Sequence, residues 1–342
     1  LEFRRVLFRS RTANRPDRRD ALRRKSSASV RKADRVESST RTPSTEWFSP
    51  RPSRPKMACR RQCATVGQGD EITTTQPRRA WRGTFDLLEI LDASPGGRDL
   101  AVRDFALVTL ACELTTAFPG QLVFKGGFVL RHAYGHVRFS SDVDATRHDP
   151  AKVTLDAELV AATIRNASIH NIITFTPRVP MTDSTHSLDF DDVSVSGQSF
   201  ADSSVQVEVS YREAVIGDPV PIGIGPPFYE PFEVLTMDPS EMAAEKLRAL
   251  AQRVRATDLA DLAVLLGNPA VRDDDIARFA EVKFKLVKRG RANRIERIER
   301  HMAFLADEYD DVIPGLFPGA PDYASALEIV IPRILDLVPP SA

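Results

Sequence analysis

Residues 123–146 read VFKGGFVLRHAYGHVRFSSDVDAT, and their reading decides the fold. The apolar run that enters this stretch predicts a short strand over residues 121–125. Gly126-Gly127 turns the chain sharply. Residues 128–134 then predict a short helix closed by Gly135, and residues 142–146 a second strand. A strand, a glycine turn and a helix start leave backbone N–H groups unpaired, and the helix dipole adds to their pull on an anion. Glycine lets a phosphate approach the backbone closely. Asp142 and Asp144 stand two apart on a strand and so share a face. Adjacent carboxylates repel unless a cation lies between them. Hard oxygen donors suit Mg²⁺ or Mn²⁺, which also bridge nucleotide phosphates. Plainer readings stand beside these: a Gly-Gly turn that is only a turn, and a polar strand end in water.

Working outward, residues 98–118 place Leu100, Phe105, Val108, Leu110, Ala111 and Leu114 at helical spacing, which predicts a core helix ending before Pro119-Gly120. Upstream, residues 84–91 form a short apolar-patterned stretch, and Pro95-Gly96-Gly97 is a loop signal. Downstream, residues 155–168 predict an amphipathic helix, and residues 169–179 and 188–196 predict strands joined by a polar loop. Residues 205–211, VQVEVSY, alternate: Val205, Val207 and Val209 face one way, Gln206, Glu208 and Ser210 the other. Glu208 is thus a candidate third carboxylate, able to bind the same metal or activate an attacking hydroxyl, or else an exposed edge residue. A Pro/Gly-rich crossing occupies residues 217–231.

From Asp238 the pattern is helical. Asp238-Pro-Ser-Glu241 predicts a capping box with Pro at the first helical position. It opens a helix to about residue 254. Thr257 is placed to cap the next helix, over residues 258–266, which Gly267 ends. Further helices are predicted at 273–286, 292–309 and 322–337. Lys246 and Arg253 are seven apart and Asp258 and Asp261 three apart, so each pair would share a helix face. A cationic face beside an acidic one could read a triphosphate and a metal or base; an ion-paired helix hairpin is the plainer reading. The expected fold is α+β: a mixed sheet with flanking helices over residues 81–235, then a helical region over 236–342.

Composition sets the outer limits. The 342 residues are 42% apolar and 27% charged, which suits a globular chain. No apolar run is long enough to span a bilayer and no stretch has the order of a signal peptide, so a cytoplasmic location is expected. Residues 1–80 carry 21 Lys+Arg against 8 Asp+Glu, while residues 81–342 carry 26 against 39. The acidic body argues against an extensive basic surface for nucleic acid. Residues 1–80 show neither helical nor strand periodicity and are expected to be a disordered or non-native basic extension. They begin with Leu, contain RVLFRS, which resembles a translated sequencing adapter, and leave Met57 or a later position as the expected start. A basic arm for nucleic acid is the functional alternative. Cys59, Cys63 and Cys112 form no disulfide framework, and Cys59-x-x-x-Cys63 lacks the second pair that a zinc site needs.

Taken in order, KGGFVL, HAYGHVRFSSDVD, VEVSYRE and AEKLRALAQRVRATDLADL resemble the motifs of the nucleotidyl transferase AbiEii/AbiGii toxin family, within the DNA polymerase β-like nucleotidyltransferase superfamily. The resemblance covers roughly residues 100–266. It implies that Gly126 and Gly127 cradle phosphates, that Asp142 and Asp144 bind Mg²⁺, and that Glu208 is the third carboxylate. Lys246 would contact the incoming triphosphate, Asp258 would be the acidic residue of the last motif, and Asp261 its companion. Arg138 and Ser140 would steady the turn before the aspartates. The implied activity is transfer of a nucleoside monophosphate from an NTP to an acceptor hydroxyl, the tRNA 3′ end being one candidate. The implied role is the toxin of an AbiE-type abortive-infection pair in phage defence, with a cognate antitoxin as partner. Phe128 stands where the family usually has Thr or Ser, and Thr257 where it has Arg. Other classes remain open: the same chemistry on a small molecule or protein, and a catalytically silent binding or regulatory protein on this fold.

Overall fold

In a computed structural model the described residues are 91–339, apart from 93, 95, 137, 149–154, 181, 199, 213, 226–230 and 287–290. The chain divides into two units, Leu1–Glu71 and Ile72–Ala342, and the described residues all belong to the second. The expectations for the basic extension, for Cys59 and Cys63, for Met57 and for residues 84–90 lie outside the described residues.

Among the described residues the elements run from α1 (Arg98–Ala117) through β1 (Leu122–Lys125), α2 (Gly126–His132), β2 (Asp142–Arg147), α3 (Ala157–Asn166), β3 (Thr174–Pro177), β4 (Thr182–Asp183), β5 (Ser187–Gly197), β6 (Phe200–Ser210) and β7 (Val220–Ile224) to β8 (Phe232–Thr236). Helices follow: α4 (Pro239–Gln252), α5 (Ala256–Gly267), α6 (Asp273–Lys283), α7 (Arg291–Phe304), α8 (Tyr309–Leu316) and α9 (Tyr323–Leu337), with 3-10 turns at Phe284–Leu286 and Leu305–Asp307.

The eight strands form one mixed sheet in the order β3-β5-β6-β2-β1-β8-β7, with β4 also paired to β5. β2 runs parallel to β6 and β1 parallel to β8, while β1–β2, β5–β6 and β7–β8 are antiparallel. Alternation sorts the two faces. Val143 sits opposite Val207 and Ala145 opposite Val209, all buried. This apolar face lies under α1, whose Arg103 Nε donates to Ser203 Oγ at 3.0 Å, Ser203 sharing the parity of Val205 and Val207. The opposite face carries the charged residues and meets α4.

Several expectations change in detail. The Pro/Gly crossing expected at 217–231 holds β7, which pairs antiparallel with β8 just beyond it, and β8 lies beside β1 as the second strand from that edge of the sheet. The long strand expected at 169–179 shrinks to four residues, preceded by an isolated Ile169–Ile173 bridge. The helix expected at 292–309 breaks at Leu305–Asp307, and a separate α8 follows. Thr257 caps nothing: α5 starts at Ala256 with Arg255 in the cap position. The box at Asp238 is half formed. Asp238 Oδ1 accepts from the amides of Ser240 at 2.8 Å and Glu241 at 3.3 Å. Glu241 turns away instead, accepting from the amides of Ile216 and Gly217.

Candidate active site

Three strands align one row of charge. Lys125 on β1 pairs with Asp144 on β2, and Asp144 pairs with Glu208 on β6. Because β5 continues the row, Asp189 sits opposite Glu208. Asp142, two residues before Asp144, shares its face but is already engaged: Ser140 Oγ donates to its Oδ1 at 2.6 Å. Burial, together with repulsion from Asp142 and Glu208, pushes the Asp144 carboxyl well above the ordinary range, while Lys125 and Lys246 pull the other way. Asp144 is thus a carboxylate whose surroundings leave it short of positive charge.

The glycine pair makes room for this row. Gly126 has φ +72, and a side chain there would strike the Asp144 carboxylate. A methyl on Gly127 would overlap the Arg138 guanidinium and come within 2.6 Å of Ser140 Oγ. Both glycines therefore let side chains from the β2 segment approach the start of α2. Phe128 points the other way: it is 1% exposed and packs against Phe124 and His132, so it is a core residue and leaves no gap at the site.

On the helical side charge is balanced. Lys246 Nζ lies 3.0 Å from Asp258 Oδ1 and 2.9 Å from Asp261 Oδ2. Arg253 grips Asp258 with two nitrogens, at 2.8 and 3.1 Å. Arg138 Nε approaches Asp261 Oδ1 at 3.2 Å, a charge contact too bent to count as a hydrogen bond. Asp258 and Asp261 are fully buried. Burial alone would raise the Asp258 carboxyl, but Lys246 and Arg253 hold it down at about 2. Against the penalty of its own burial, Lys246 is held above its usual value by Asp261 and Asp258. Arg253 does not share a helix face with Lys246 as the spacing suggested. It caps α4 in an extended conformation, and the two meet at Asp258 instead. The guanidinium that Asp258 meets comes from Arg253 at the end of α4.

A cleft of about 230 Å³ opens between the row and α4. Of the expected residues, Gly126, Asp144, Glu208, Lys246 and Arg253 line it. Gly127, Ser140, Asp142, Asp258 and Asp261 are not among its lining residues. Lys125 and Glu245 also line it and were not singled out by the sequence, nor were Arg212, Arg248 and Gln252. A lysine closing a strand reads as a solvent-facing end; only the register shows Lys125 beside Asp144. A larger cavity, about 390 Å³, lies at the α5–α6 turn against Arg333, away from this chemistry. Among the described residues, no three His, Cys, Asp or Glu side chains are already gathered into a metal cage.

A sequence model described as "Nucleotidyl transferase AbiEii toxin, Type IV TA system" matches residues 109–333. The chain belongs to this family. The matched span contains every candidate site residue above, so the charged row, the glycine pair and the buried helix network of this chain all lie within it. Membership also brings the family's setting: nucleotidyltransferase toxins of toxin–antitoxin systems, for which an antitoxin is the partner. Among solved structures, the nucleotidyltransferase toxin MenT4 from Mycobacterium tuberculosis is similar at 20% identity and TM-score 0.56, covering 73% of this chain and 88% of its own. That likeness shows the α+β fold. JHP933 from Helicobacter pylori is similar at 18% identity and TM-score 0.48, covering 71% and 93%. No curated protein is similar enough in sequence to count as a relative. No helix among the described residues is long and apolar enough to cross a membrane.

Proposed function

We propose that this AbiEii chain moves a nucleoside monophosphate from an NTP to an acceptor hydroxyl, releasing pyrophosphate, and that it does so with Mg²⁺ or Mn²⁺. The observation that carries the reading is the row of Asp144 and Glu208 with Asp142 beside it, open to a cleft whose far wall is cationic. The donor set fits a hard divalent cation: all are carboxylate oxygens, and burial together with the charges of Asp142 and Glu208 disfavours the ionised form of Asp144. Asp142 and Asp144 would hold the ion, with Glu208 as the third ligand. Bound there, the ion supplies charge neutralisation to the triphosphate oxygens.

The chain's own groups do the remainder. Lys246 donates to Asp258 at 3.0 Å and makes a charge contact with Asp261 at 2.9 Å, and its place on the cleft wall would bring its ammonium to a phosphate. The two aspartates fix its ammonium so that it neutralises charge on the leaving pyrophosphate without reorganising. Arg253, anchored to Asp258, adds a second fixed positive group. Gly126, on the cleft wall, lets the Asp144 carboxylate close in on the start of α2, and the triphosphate tail would lie beside this turn. Glu208, exposed at the rim, is placed to accept the proton of the attacking hydroxyl.

The acceptor we favour is the 3′ end of a tRNA, and the setting is an AbiE-type abortive response to phage in the cytoplasm, released when the cognate antitoxin is lost. The test is transfer of label from each of the four NTPs to total tRNA, total protein and small hydroxyl compounds. Label on tRNA 3′ ends, dependent on Mg²⁺, supports the reading. Label only on protein or small molecules would redirect the acceptor. No transfer by wild type to any of them contradicts the enzyme reading and favours a binding or regulatory protein.

A further inference from the structure

The later helices hold α4 at both ends. Near its start, Lys283 Nζ on α6 lies 2.7 Å from Glu241 Oε1 and 2.7 Å from Glu245 Oε1. The far end is held through its main chain. A helix leaves its last four carbonyls without partners inside the helix. In α4 these belong to Ala249, Leu250, Ala251 and Gln252, and each one is taken. The Ala249 carbonyl accepts from the Arg253 amide at 2.9 Å. The Leu250 carbonyl lies 2.6 Å from His301 Nδ1, which carries the proton because a carbonyl can only accept. Arg297 Nε donates to the Ala251 carbonyl at 3.0 Å, and its Nη2 to the Gln252 carbonyl at 3.4 Å. In the same way Arg294 Nη2 donates to the Phe284 carbonyl, just past the end of α6, at 3.2 Å.

Arg294, Arg297 and His301 are three and four residues apart, so they share one face of α7. A positive charge at a helix C-terminus also complements the helix dipole. The end of α4 that α7 closes is part of the cleft: Ala249, Gln252 and Arg253 line it, and α7 contributes no lining residue. The Arg253 side chain is 47% exposed, so packing does not hold it in place. Asp258 grips the guanidinium at its tip. That bond does not fix the root, where the main chain leaves α4 in an extended conformation directly after the capped carbonyls. Arg297 and His301 hold the root.

We propose that Arg297 and His301 are positioning residues for the cleft: by closing the carbonyl end of α4 they fix the main chain at Arg253, so that its guanidinium stays on the cleft wall. This rests on the nucleotidyltransferase reading for its consequence, not for its geometry. Two readouts separate them. The first needs no nucleotide: hydrogen exchange on the full chain. In Arg297→Met the amides of Ala251, Gln252 and Arg253 should exchange about tenfold faster than in wild type, with those of β2 and β6 unchanged. Unchanged exchange at this turn overturns the proposal even if the enzyme is active. The second readout is a double-mutant cycle on label transfer. Arg297→Met alone should lower kcat/KM for the NTP about tenfold. In an Arg253→Ala background it should lower it by less than about twofold, because the group it positions is already gone. The same fall in both backgrounds would mark a structural role only and overturn the proposal. His301→Asn, which keeps an N–H donor, should stay within about twofold of wild type, while His301→Phe should fall with Arg297→Met. If Arg297→Met does not fold, Arg297→Lys takes its place in the same cycle, since it keeps the charge and gives up the fork. If wild type transfers no label, hydrogen exchange alone decides the positioning claim, and only the function is lost.

Discussion

The two walls of the cleft handle charge in opposite ways. On the sheet, Asp142, Asp144 and Glu208 crowd one face, and Asp144 is driven well above the ordinary carboxylate range. On the helices, Asp258 and Asp261 are buried as well, yet three cationic side chains surround them and Asp258 is held at about 2. Burial is therefore not what distinguishes a working carboxylate from a structural one here. The difference lies in whether the fold itself supplies the counter-charge. Where it does, the group is scaffold. Where it does not, the site waits for a ligand to supply it.

The comparison can be broken most sharply at its two aspartates. Asp144→Ala should cut label transfer by about 10³-fold or more, since it removes a group used at the reacting phosphates. Its melting temperature should stay at or above wild type, because a repelled carboxylate is gone. Asp258→Ala should do the reverse. It strands Lys246 beside a single partner and should cost about 3 kcal/mol in urea unfolding. If Asp258→Ala is as stable as wild type, the helical network is not a scaffold.

Phe128 sharpens the comparison from the side of sequence. Restoring the hydroxyl the family usually carries, by Phe128→Thr, should lower stability by about 2–3 kcal/mol, because the ring fills the core behind the glycine turn. It should leave KM for the NTP unchanged. A lower KM in that variant would show that position 128 reaches the nucleotide.

The smallest effect is in pH. Asp258 has a folded value of about 2 against an ordinary 3.8. It therefore stabilises the fold fully above the ordinary value, and that share is lost as pH falls through 3.8 toward 2. Asp144 slopes the other way: its raised value makes its ionisation costly to the fold as pH climbs above the ordinary carboxylate range. Unfolding curves of Asp258→Asn and Asp144→Asn between about pH 3 and 8, measured against wild type, should diverge in opposite senses. Parallel curves would deny that the two carboxylates differ.

Much of this arrangement is legible in the residues themselves. Alternation in residues 205–211 puts Glu208 on the face opposite the valines, and the i, i+2 spacing puts Asp142 with Asp144; both follow from the pleat alone. What local pattern hides is long-range. The β7–β8 hairpin has strands of five residues set among Pro and Gly, too short and too broken for periodicity to show. Lys125 gains meaning only from its register with Asp144. The Lys283–Glu245 link joins helices across 38 residues of chain, beyond any helical period. The glycine pair does mark a place of close approach, as its pattern implies. The groups that approach are the Asp144 carboxylate and the Arg138 guanidinium, a tertiary contact that no local pattern could supply.

The central claim is that the charged row waits for a cation. Mn²⁺ binding to the full chain, followed by electron paramagnetic resonance with and without a non-hydrolysable NTP analogue, tests it directly. The account predicts saturable Mn²⁺ binding that the analogue tightens and that Asp144→Asn abolishes, while Phe128→Thr leaves it intact. Wild type that binds no Mn²⁺ even with the analogue, or Asp144→Asn that binds it as well as wild type, would contradict it.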